Sequence, residues 1–124
     1  MKQIFETMIS EHDHQSNLFS WAAMAKVKYP ELTLLYAVPN AAKRSKTLSA
    51  IMKAEGLKSG VPDVCLPISR KGFGSLYIEM KSKAGKITEN QTIWRDNLIK
   101  FGNKSVVCWS FDEARAVIED YLNG

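Results

Sequence analysis

Asp63 closes the string Gly60-Val61-Pro62-Asp63, and sixteen positions later Glu79-Met80-Lys81 sets an acid and a lysine two residues apart inside an apolar run. An acidic residue followed by such a pair suits the hydrolysis of a phosphodiester. That reaction must deliver water to an anionic phosphorus and hold the charge that builds on its oxygens. A hard cation such as Mg²⁺ takes oxygen ligands and keeps several waters, so two or three carboxylates and a substrate phosphate are enough to hold it. The cation lowers the pKa of a bound water and screens the phosphate. Lys81 adds a compact charge able to orient that water. The same acid–x–lysine pattern also occurs on ordinary solvent-facing strands.

The elements around these residues decide whether they can meet. Leu76 to Lys81 is short, apolar and aromatic, with Gly72 and Gly74 before it and Gly85 after it, and reads as a strand. Side chains alternate along a strand, so Glu79 and Lys81 share a face and Met80 takes the other. Val64 to Leu66 is a second strand, joined to the first by a polar turn around Arg70 to Gly74 and able to form an antiparallel hairpin with it. That pairing brings Asp63 to the far end of its partner and sets the active face at one edge of the sheet. Ser10 to about Lys28 reads as a helix ended by Tyr29-Pro30, with Glu11, Gln15, Leu18 and Ala22 on one stripe. Leu32 to Val38 reads as a strand, Ser45 to Glu55 as a short helix, and Thr88 to Phe101 as a helix opened by a capping box with Gln91. A strand from Ser105 to Trp109 and a helix from Asp112 to Leu122 complete the order α-β-α-β-β-α-β-α, an α/β sandwich with a mixed sheet.

The 124 residues predict one domain with its own core, apolar at 45% and charged at 24%, as in ordinary soluble proteins. No apolar run approaches a membrane span, and no signal segment opens the chain, so a cytoplasmic protein is expected. Cys65 and Cys108 sit in apolar runs and read as buried free thiols. Charge is distributed unevenly. Residues 43–86 carry ten Lys or Arg against three acids, while the rest carries seven against ten. A basic surround with a small acidic centre suits a polyanion held while a metal acts on one phosphate. His12 and His14 lie two apart on a helix and point in different directions, which argues against a shared zinc. No Gly-x-x-x-x-Gly-Lys-Ser/Thr loop is present to cradle a nucleotide. Trp21, Trp94 and Trp109 read as packing residues.

Taken in order, Gly60-Val61-Pro62-Asp63, the Ile78-Glu79-Met80-Lys81 strand, and Gln91 followed by Trp94 resemble the virus-type replication-repair nuclease (VRR-NUC) domain of the PD-(D/E)XK nuclease superfamily. The likeness extends to Glu11 with Gln15, to Pro39-Asn40 before Lys43-Arg44-Ser45, and to the segment from Ser110 to Leu122. It covers nearly the whole chain. It implies a restriction-endonuclease-like sandwich with a mixed central sheet flanked by helices. It further implies that Glu11, Asp63, Glu79 and the Met80 backbone carbonyl bind Mg²⁺ or Mn²⁺, that Lys81 assists the water, and that Gln91 supports the site.

Asn40, Lys43, Arg44, Lys46, Lys58, Lys83 and Lys86 are the candidate DNA contacts. Small standalone members of this family resemble homodimeric enzymes that resolve four-way (Holliday) junctions, and a phage, prophage or plasmid origin goes with that likeness. A two-fold dimer matches a two-fold substrate. The rival expectations are a flap- or end-directed nuclease of the same fold and a non-catalytic nucleic-acid-binding subunit.

Overall fold

The computed structural model describes residues 9–39 and 45–124. Helix α1 (Glu11–Ala25) starts at Ser10, whose side chain accepts from the Asp13 N–H while Asp13 accepts from the Ser10 N–H. This reciprocal cap satisfies two amides that the helix leaves open. α1 buries His14, Leu18 and Ala22, four residues apart, and gives way to a turn three residues earlier than expected, after Ala25.

The expected strand from Leu32 to Val38 is mostly replaced. Pro30 to Leu34 forms a 3₁₀ turn, and only β1 (Tyr36–Ala37) pairs as a strand. Pro30 fixes φ for a helical first turn and has no N–H for a ladder. The tighter turn drops Leu32 and Leu35 into the core, and Arg70 clamps it through Glu31 at 2.6 Å.

Helix α2 (Lys46–Ala54) follows Ser45, whose side chain accepts from the Leu48 N–H; none of its residues is buried. Strands β2 (Val64–Leu66) and β3 (Leu76–Met80) form the expected antiparallel hairpin, with Val64 opposite Ile78. Helix α3 (Glu89–Lys100) then leads to β4 (Lys104–Cys108), which pairs with β3 in parallel, and α4 (Phe111–Leu122) ends the chain. The sheet order is β1-β2-β3-β4, with β2 and β3 in the centre. Cys65 and Cys108 are buried free thiols, as expected.

Register and alternation sort the side chains of the sheet. Val64, Leu66, Leu76, Ile78, Met80 and Cys108 share the core with Leu18 and Ala22 of α1 and Ala114, Ile118 and Tyr121 of α4. Cys65, Tyr77 and Glu79 alternate to the other face. Glu79 meets Gln91 of α3 there, so the sheet lies between α1 with α4 on one side and α3 on the other. The α4 start is fastened to α1 by the Phe111 N–H, which donates to His14 Nδ1 at 3.0 Å.

Candidate active site

Three local devices bring the acids together. The β2–β3 register sets Asp63, one residue before β2, beside the end of β3, where the Met80 N–H donates to Asp63 Oδ2 at 2.8 Å. The Val38 N–H donates to the Asp63 carbonyl at 2.8 Å and holds the same residue from the β1 side. Gly60 then seats the loop against α3. It has φ +90°, and a Cβ built there would lie 2.7 Å from the Asn90 backbone, so only glycine allows that approach without strain. The result is a site at the ends of the two central strands. The expected position at an edge of the sheet is thus corrected, because β1 and β4 flank the hairpin.

Glu79 and Lys81 share a face as the alternation predicts. Both are almost wholly buried, with Lys81 Nζ 3.8 Å from Glu79 Oε2. The Lys81 N–H continues the ladder by donating to the Cys108 carbonyl at 2.9 Å. Gln91 does two jobs. Its Oε1 accepts from the Thr88 N–H at 2.9 Å, which caps α3, and its Nε2 donates to Glu79 Oε2 at 3.2 Å. Glu11, the first residue of α1, reaches in from the third side. A Cβ at Gly85 would lie 2.8 Å from Glu11 Oε1 and 3.3 Å from the Lys81 side chain. Gly85 therefore leaves room for both, a role that no spacing in the sequence signals.

The electrostatics of this centre are unbalanced. Burial, then the neighbouring Asp63, push the Glu79 carboxyl up to about 9; Lys81 opposes the shift and does not cancel it. Glu79 Oε1 is buried without a hydrogen-bond partner among the described residues. The two observations have one cause. Ionised Glu79 and Asp63 can only accept hydrogen bonds, so something positive must lie at Oε1. A proton on Glu79, donated toward Asp63, meets that need; a hard divalent cation also meets it.

Among the described residues no group of three or more His, Cys, Asp and Glu side chains is placed to hold a metal ion. Open sites with one or two carboxylates and several waters are what Mg²⁺ ordinarily takes, so the residues present fit such an ion. Glu79 and Asp63 would hold it, with Glu11 at its margin.

The remaining candidates are spread more widely. Lys46, Lys58, Lys83 and Lys86 are exposed, Lys83 and Lys86 in the loop directly after β3. Asn40, Lys43 and Arg44 lie outside the described residues. His12 and His14 point apart as expected: His14 is buried against α4, while exposed His12 faces a cleft of about 320 Å³ with Gln15, Ser16 and Phe19. Phe19 was not marked by the sequence. It sits two helical turns beyond Glu11, on one row along α1.

No curated protein matches the sequence. A solved structure described as a VRR_NUC domain protein is similar over 90% of this chain and 87% of its own, at 27% identity and a TM-score of 0.77. The mixed sheet flanked by helices is accordingly a PD-(D/E)XK-like fold. The family model of the VRR-NUC domain matches residues 2–112, which span the hairpin, its acids, Lys81 and Gln91. The chain belongs to the VRR-NUC nuclease family.

Proposed function

We propose that the protein is a Mg²⁺- or Mn²⁺-dependent, structure-selective DNA endonuclease that resolves four-way junctions as a homodimer. The observation that carries the metal reading is Glu79 Oε1, buried beside Asp63 with no hydrogen-bond partner among the described residues. A divalent cation held there supplies a lowered pKa to a bound water and positive charge to the scissile phosphate.

The chain's own residues do the rest. Asp63 is fixed by the Met80 N–H, and Glu79 by the Gln91 amide, so two acids are held without freedom to follow a moving ligand. Lys81, almost fully buried beside Glu79, orients the attacking water and stabilises charge on the phosphate oxygens. Water attacks phosphorus, the P–O bond to the leaving strand breaks, and no covalent intermediate forms. The dimer and the junction rest on symmetry. A two-fold assembly presents two such sites to a two-fold substrate and cuts it in pairs. The basic segment from 43 to 86 supplies the charge for a backbone read by shape.

Cleavage of labelled four-way junction, flap and linear duplex, each with Mg²⁺, Mn²⁺ or EDTA, tests this. Paired symmetric nicks in the junction, lost in EDTA, are expected. Asp63→Ala and Glu79→Ala should abolish them with junction binding retained. Cutting of flaps or ends alone would refute the junction, and binding without cutting under any metal would refute the nuclease.

A further inference from the structure

We propose that the cleft beside the acids holds an unpaired nucleobase of the substrate, stacked on Phe19, and that the nuclease thereby selects DNA whose strand is open next to the cut. The inference rests on the nuclease reading and names what its site recognises. The cleft has a volume of about 320 Å³ and is lined by Glu11, His12, Gln15, Ser16, Phe19 and Asp63. That is the low end of the ~300–1,000 Å³ range of small-molecule pockets, a volume suited to one nucleoside and too small for a duplex.

The lining chemistry says which part of a nucleotide enters. Beyond the two acids, which face the scissile phosphate, the lining among the described residues carries no lysine or arginine to hold a second phosphate. What it offers beyond the acids is an imidazole, an amide and a hydroxyl, all able to hydrogen-bond, and one aromatic ring. Those are the groups that read a base edge and stack on a base face. Phe19 is partly buried and packed on the hydrophobic core, so its ring is held in place and loses little freedom on stacking.

The geometry links the cleft to the cut. Glu11, Gln15 and Phe19 recur every four residues on α1, which places Phe19 roughly 12 Å along the axis from Glu11. His12 and Ser16 form the adjacent row and lie 3.4 Å apart between Nε2 and Oγ. A strand whose phosphate meets Asp63 and Glu79 therefore brings one of its next few bases to Phe19. A base still paired in a duplex cannot turn into a cleft of this size.

The test separates this from cleavage. Branched DNA carrying an abasic residue at successive positions through the branch point is titrated against the protein in EDTA, with affinity read by fluorescence anisotropy. Loss of the base at one or two adjacent positions should weaken binding about 10- to 100-fold, the range for a base stacked on an aromatic ring. Phe19→Ala should cost as much on intact DNA and nothing further on the abasic DNA. Phe19→Tyr should restore binding and Phe19→Leu, which keeps the core contact without a ring, should not. Full rescue by Leu, or affinity indifferent to every missing base, would overturn the proposal. Because no metal is present, failure of cleavage in Mg²⁺ with these results intact would sink only the nuclease reading.

Discussion

Replacing Glu79 by Gln should make the metal-free protein more stable while destroying its chemistry. An unperturbed glutamate titrates near 4.5, and the folded protein holds this carboxyl near 9. The folded state therefore keeps a proton that the unfolded chain gives up between those values. Stability from this group is fully present below pH 4.5 and is lost progressively as pH rises toward 9. Each unit of difference is worth about 1.4 kcal/mol, and at pH 8 the gap from 4.5 caps the cost at about 5 kcal/mol. An amide reproduces only part of the protonated acid's contacts, so Glu79→Gln should recover about 2–4 kcal/mol of it.

Gln keeps the shape, donates to Asp63 as the protonated acid would, and still accepts from Gln91. For a domain of this length that is roughly 8–15 °C in Tm. The assay is thermal unfolding of both proteins in EDTA from pH 5 to 9. The two should nearly coincide at pH 5 and separate steadily above it. Millimolar Mg²⁺ should then raise the wild-type melting temperature and leave Glu79→Gln unmoved. A variant no more stable than wild type at pH 8, or a difference that does not grow with pH, would refute the account of the site as a carboxylate awaiting positive charge.

Other outcomes follow from the same contacts. Gly60→Ala forces a Cβ to within 2.7 Å of the Asn90 backbone at a φ of +90°. It should cost about 1–3 kcal/mol in denaturant titrations and lower the cleavage rate more than DNA affinity, since α3 carries Gln91. His14→Ala removes the acceptor for the Phe111 N–H and should destabilise by about 1–3 kcal/mol; an unchanged melting temperature would show that the α4 start needs no such acceptor. Lys43→Ala and Arg44→Ala should each weaken binding to all DNA sequences alike and reduce the salt slope by about 1. Unchanged affinity would remove that segment from the DNA surface.

Much of this molecule was legible along the chain because its signals are local. Capping boxes at Ser10 and Thr88 mark two helix starts, and the alternation in Leu76 to Lys81 sets which side chains share a face. The strand expected over Leu32 to Val38 failed for a local reason as well: Pro30 favoured a 3₁₀ turn, and that turn let Leu32 and Leu35 reach the core. Gln91 looked like a capping residue or a site residue, and its two ends serve both bonds. The stripe of Glu11, Gln15, Leu18 and Ala22 divides, its first two members lining the cleft and its last two entering the core.

The sequence by itself determined which residue types could hold a cation and move a phosphate, and which of them share one strand face. It also determined the order of elements, because caps, turns and periodicity act within a few residues of each other. Only the tertiary structure decided that Asp63 would be held at 2.8 Å by the Met80 N–H, that the site would lie between two flanked strands, and that Glu79 would be buried enough to retain a proton near pH 9. The room made by Gly85 and the placement of Phe19 beside the acids were likewise settled there. Burial, close approach and electrostatic coupling depend on groups far apart in the chain, so no local pattern can encode them where they are felt.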